Sequence, residues 1–66
     1  MKHTAKILWI DTKQGNGIAV DLHGNEYYFD RSVFKDFSTA ERKDLIEFDI
    51  NKAIKDCLCA YNVFLK

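Results

Sequence analysis

The sequence predicts an all-β protein, a small five-stranded antiparallel barrel, and three observations predict it. From Trp9 to Phe29, two runs rich in β-branched and aromatic residues flank Gly15-Asn16-Gly17. A second turn, His23-Gly24-Asn25, returns the chain into Glu26-Tyr27-Tyr28-Phe29, so this stretch reads as a three-stranded antiparallel meander. Further on, Ile46, Phe48 and Ile50 alternate with Glu47 and Asp49, the period of a half-buried strand, and Cys57 to Leu65 is strand-like in composition.

Size and composition bound the function. At 66 residues the chain makes one domain, residues 1–66, close to the lower limit for a fold without metal or disulfides. Hydrophobic residues at 47% and charged residues at 30% are globular values and exclude a wholly disordered chain. No long apolar run and no charged segment leading into an apolar one is visible, so the expectation is a cytoplasmic protein without a membrane span. Ten basic and ten acidic side chains cancel, which removes the simplest argument for nucleic-acid binding. Within the first twenty residues Lys2, Lys6 and Lys13 face only Asp11, so any basic patch belongs to the N-terminal strands.

In chain order, Met1 to Thr4 reads as a frayed lead-in and Ala5 to Ile10 as the first strand, closed by polar Asp11 to Gln14. Gly17 to Leu22 is the second strand. In the third, alternation places Tyr28 on one face and Tyr27 with Phe29 on the other. From Arg31 to Lys43 the pattern loosens; Ser32 to Phe37 suits a helical turn, and Ser38-Thr39-Ala40-Glu41 has the spacing of a capping box. Ile50, Ala53, Ile54, Cys57 and Leu58 fall at helical spacing, which supports a helix from about Thr39 to Leu58 as an alternative. The alternation at 46, 48 and 50 favours strand, polar turn over 51–56, then strand.

A meander followed by two more strands suits a small, partly open barrel of the oligonucleotide-binding class, the OB-fold. The order Lys6-x-x-Trp9, Gly15-x-Gly17, Tyr28, Ser32, Ile46-x-Phe48-x-Ile50 and Ala60-x-Asn62-Val63 resembles the bacterial cold-shock domain over nearly the whole chain, with a shorter connection after the third strand. The resemblance implies binding of single-stranded RNA or DNA. Cold-shock proteins stack bases on aromatics around two short ribonucleoprotein-like motifs, with a basic fringe along the backbone. Trp9 matches the family's tryptophan and Tyr28 a phenylalanine of the second motif. Asn16 and Ile18 stand where the first motif has two phenylalanines, Asp30 where the second has a histidine, and Arg31 where a phenylalanine usually follows; Leu8 replaces a lysine. Stacking contributes about 1–3 kcal/mol per base, so a platform short of two or three rings implies weak, sequence-tolerant binding. Arg31, through its guanidinium plane, and Phe37, projecting from the shortened loop, recover part of the loss; Lys6 and Lys13 form the fringe, and Asp30 repels phosphate. The candidate interface is therefore Lys6, Trp9, Lys13, Asn16, Ile18, Tyr28, Arg31 and Phe37.

Each of these residues also has a plainer reading. Trp9 and Tyr28 suit an amphipathic surface or the margin of the core, Lys13 and Arg31 are ordinary solvated charges, and Phe37 suits a core plug beneath the loop. Gly15 and Gly17 fit a turn or bulge. A dinucleotide fingerprint is excluded, since Val20 takes the third glycine's place and no βαβ unit fits. Cys57 and Cys59 share a strand face where a mutual disulfide is disfavoured, and with His3 and His23 they match no zinc spacing, so neither metal nor cofactor is expected. No nucleophile, base and orienting group come together in the sequence, and catalysis is not expected. A rival class remains open. Apolar residues on both faces of the last strand, Cys57 to Leu65, exceed what one small core can hold, and the last strand of an open barrel offers unpaired backbone, which points to a homodimer or protein partner docked there.

Overall fold

A computed structural model describes residues 2–51 and 59–66. Five strands close into a barrel: β1 (His3–Asp11), β2 (Asn16–Val20), β3 (Glu26–Asp30), β4 (Leu45–Asn51) and β5 (Cys59–Leu65). Around the barrel the order is β1-β2-β3-β5-β4, with β4 pairing back onto β1. Neighbours run antiparallel except β3 and β5, which meet in parallel at Tyr28 and Cys59. A second parallel bridge, Phe34 to Val63, continues this closure. β5 is thus paired on both sides, and the expectation of an open barrel with an unpaired last strand is corrected. Of the turn expected over 51–56, Asn51 instead ends β4, where it pairs with Cys59, and residues 52–58 fall outside the described residues.

Alternation builds the interior. Ala5 and Ile7, Ala19, Tyr27 and Phe29, and Ile46 and Phe48 point inward at the period of two, and on β5 an irregularity at Asn62, with φ of 51°, turns both Ala60 and Val63 inward although they stand three residues apart. The core has two aromatic groups. Tyr27 and Phe48 lie 4.9 Å apart at one end, with the His3 ring stacked on Phe48. At the other end Phe29, Phe34 and Phe37 form three edge-on contacts, with centroids 5.6, 6.4 and 6.2 Å apart.

Element ends differ from the sequence expectation for local reasons. β1 begins at His3, because pairing of His3 with Phe48 extends the strand through the supposed lead-in. β2 ends at Val20, because the Asp21 carboxylate accepts the backbone N–H of His23 and Asn25 at 2.8 and 2.9 Å and closes a turn. The Tyr27 hydroxyl also donates to Asp21, at 2.7 Å, and holds its carboxyl well below the usual carboxylate range. No helix starts at the capping-box residues. Phe37–Thr39 is a single 3₁₀ turn, Ala40 is extended, and Lys43 takes a left-handed φ of 79° while its N–H bonds the Ile7 carbonyl at 2.9 Å. The connection is therefore tied to β1, and β4 follows as a strand where the helical alternative had been drawn. No helix among the described residues is long and apolar enough to cross a membrane.

Candidate nucleic-acid interface

Strict alternation from Ala5 and Ile7 would send Trp9 into the core. It faces outward because β1 carries a bulge: Ile7 pairs with Ala19 and Trp9 with Ile18, so Leu8 is an extra residue without a registered partner. Leu8 and Trp9 consequently both lie outside, 43% and 40% exposed. The cross-strand register then lines up Trp9, Ile18 and Tyr28 as one row over β1, β2 and β3. Tyr28 is 39% exposed and Ile18 half-buried between the two rings. A flat apolar row with a ring at each end can accept two planar groups by stacking.

Gly17 makes the underside of this row possible. A Cβ there would stand 2.6 Å from the buried Phe29 ring and 2.7 Å from the Trp9 carbonyl oxygen, so no larger residue fits without moving core or backbone.

The rows on either side carry charge. On one side Lys6, Val20 and Glu26 are register partners; on the other, Asp11, Asn16 and Asp30 are. Both carboxylates of the second row have local duties. Asp11 accepts the N–H groups of Lys13 and Gln14, each at 3.0 Å, and shapes the β1–β2 turn. Asp30 caps the 3₁₀ turn Arg31–Val33, accepting from the Ser32 N–H at 2.9 Å and from the Ser32 hydroxyl. Asn16 offers both a donor and an acceptor between them.

The structure therefore brings Trp9, Ile18 and Tyr28 into one row with Asn16 beside it, and sets Lys6 one row away on the other side. Lys13 is exposed in the β1–β2 turn. Arg31 folds back against that turn: its N–H bonds the Gly15 carbonyl at 2.9 Å and its Nη2 donates to the Thr12 carbonyl at 3.1 Å. Phe37 does not project as a free ring; it is 6% exposed and plugs the core, with the Arg31 guanidinium carbon 5.8 Å from its centroid. It contributes support for Arg31 rather than a stacking surface.

Two features escaped the sequence reading, the bulge in β1 and the groove beside Arg31, and a third, the carboxylate row, was read only at Asp30. The bulge that turns Trp9 outward has no local signature. The carboxylate row was legible, since Asp11, Asn16 and Asp30 each stand two residues from a member of the aromatic row. Lys35, Thr12 and Ser38 converge with Arg31, Phe34 and Phe37 on a groove of about 540 Å³ only through the path of the β3–β4 connection. Among the described residues, no three His, Cys, Asp or Glu side chains converge in a way that could hold a metal ion. No protein-family model matches the chain, and no curated protein matches it in sequence.

Proposed function

We propose that the outer face of β1–β3 binds single-stranded RNA or DNA, weakly and with little sequence preference, and that the protein is a binding module rather than an enzyme. The observation that carries this reading is the row Trp9–Ile18–Tyr28: two half-exposed rings held level on a rigid sheet, one of them turned outward by a bulge. Every base has a π-face, so such a row accepts bases without selecting among them. Arg31, Lys13 and Lys6 supply the cations around it, whereas the zero net charge and the Asp11–Asn16–Asp30 row limit the phosphates that can be neutralised. Fluorescence titration with a labelled single-stranded oligonucleotide at low and moderate salt tests the reading. Saturable binding with a shallow salt slope, weakened by Tyr28→Ala, supports it; no binding at low salt excludes it.

A second reading rests on a separate surface. Tyr61 and Phe64 are 41% and 43% exposed on the outside of β5, and Leu45 is exposed on neighbouring β4. A homodimer or protein partner could cover these side chains, docking on them rather than adding a strand, because β5 is already paired on both sides. Sedimentation equilibrium over a range of concentrations, with Tyr61→Glu and Phe64→Glu as comparisons, decides it. A chain that stays monomeric at high concentration rules out self-association.

A further inference from the structure

Beyond the stacking row lies the groove between the β1–β2 turn and the two 3₁₀ turns of the β3–β4 connection. We propose that this groove is a phosphate site, with Arg31 and Lys35 as its cations and the Thr12 and Ser38 hydroxyls as neutral donors.

Three contacts hold Arg31 at the groove. Its backbone N–H bonds the Gly15 carbonyl at 2.9 Å, and its Nη2 donates to the Thr12 carbonyl at 3.1 Å. Its guanidinium lies over Phe37, 5.8 Å from the ring centroid. It also occupies the space a side chain at residue 15 would need: a Cβ there would come 2.7 Å from Nε and 2.8 Å from Nη2. Gly15 has a left-handed φ of 79°, so turn geometry and the room for Arg31 both favour glycine at this position. The hydrogen bond to Thr12 and the ring of Phe37 hold the exposed guanidinium at the mouth of the groove before any ligand arrives. The bond to the Thr12 carbonyl uses one of its five donors, which leaves a planar fork for an oxyanion.

The surroundings match that chemistry. The groove, about 540 Å³, is lined by Thr12, Arg31, Phe34, Lys35, Phe37 and Ser38, with two cations, two hydroxyls and no carboxylate. The neighbouring row carries Asp11 and Asp30, which disfavour an anion. A strand lying on Trp9 and Tyr28 would accordingly have its phosphate directed past Asp30 and into the groove. That identification of the phosphate's source rests on the proposed function; the oxyanion site itself does not.

The test uses the full chain and inorganic phosphate, at constant ionic strength maintained with chloride. Nuclear magnetic resonance should show saturable shifts at the Arg31 Nε–H, the Gly15 N–H and the Lys35 N–H. Arg31→Lys, which keeps the charge but loses the planar fork, should weaken the binding about tenfold, and Lys35→Gln should weaken it further while the amide spectrum stays folded. A response that does not saturate, or that chloride reproduces, or that Arg31→Lys leaves intact, overturns the proposal. A second arm separates the sources of phosphate. With an oligonucleotide, Arg31→Gln should reduce the salt slope by about 0.7, the value for one phosphate contact on a single strand. If phosphate binds but oligonucleotide does not, the groove stands as a site for a free phosphorylated ligand and the stacking reading falls. If oligonucleotide binds through Tyr28 while phosphate leaves Arg31 unshifted, the groove proposal falls alone.

Discussion

The stacking row and the groove beside it are adjoining regions built on opposite principles. The row is regular sheet, its side chains aligned by register, and its charged neighbours are Asp11 and Asp30. The groove is irregular backbone, two 3₁₀ turns and a hairpin turn, and its charges are Arg31 and Lys35. A single peptide step from Asp30 to Arg31 takes the chain from one to the other. If the proposed binding holds, affinity for bases and affinity for phosphate would not share a surface: the row offers rings beside carboxylates, and the groove offers cations where the rings of Phe34 and Phe37 are buried. The two glycines flanking Asn16 divide along the same line. Gly17 keeps β1 and Phe29 close beneath the row, and Gly15 makes room for Arg31 at the groove.

The largest effect expected comes from breaking the row's foundation. Gly17→Ala drives a methyl into the Phe29 ring and the Trp9 carbonyl, and should cost about 1–3 kcal/mol of stability, read as a fall in the urea midpoint. An unchanged midpoint would mean that the two strands separate more easily than their register implies.

Next come the rings. Tyr28→Ala and Trp9→Ala should each cost about 1–3 kcal/mol of oligonucleotide affinity while leaving the fold intact, because both side chains lie outside the core. Affinity unchanged from that of the unsubstituted chain in both variants, measured by fluorescence anisotropy, would place binding elsewhere.

A smaller change sharpens the charge contrast. Asp30 repels phosphate but also caps the 3₁₀ turn through Ser32, so Asp30→His would disturb the turn as well as the charge. Asp30→Asn keeps an acceptor for Ser32 and removes only the charge, and should strengthen oligonucleotide binding by less than tenfold at low salt, with the gain fading as salt rises. An equal gain at high salt would assign the effect to something other than repulsion.

The smallest effect concerns the opposite end of the sheet, behind the face. The Tyr27 hydroxyl holds the Asp21 carboxyl below its ordinary value, so the stability it contributes is present above about pH 4 and is lost as the pH falls through the folded-state value. Asp21→Asn should flatten that part of the dependence of the urea midpoint on pH, without altering oligonucleotide affinity.

Much of the fold was legible because alternation is a strong signal where one face is buried. The inward placement of Tyr27 with Phe29 and of Ile46 with Phe48 follows directly from the period. The parallel closure of β3 on β5 was not legible, since it joins segments distant in sequence through a single registered pair. The outward turn of Trp9 runs against local alternation, and only the resemblance to a known family pointed to it. Phe37 was ambiguous for a different reason: nothing in its neighbours distinguishes a ring that plugs a loop from one that projects from it, and three-dimensional packing against Phe29 and Phe34 decides.

Base stacking on Trp9 and Tyr28 is tested most simply by the quenching of Trp9 fluorescence by an unlabelled single-stranded oligonucleotide. Trp9 is the chain's one tryptophan, so the signal reports this face alone. Stacking should give saturable quenching that Tyr28→Ala weakens. An oligonucleotide that leaves Trp9 fluorescence unchanged at low salt, while the protein remains folded, would contradict it.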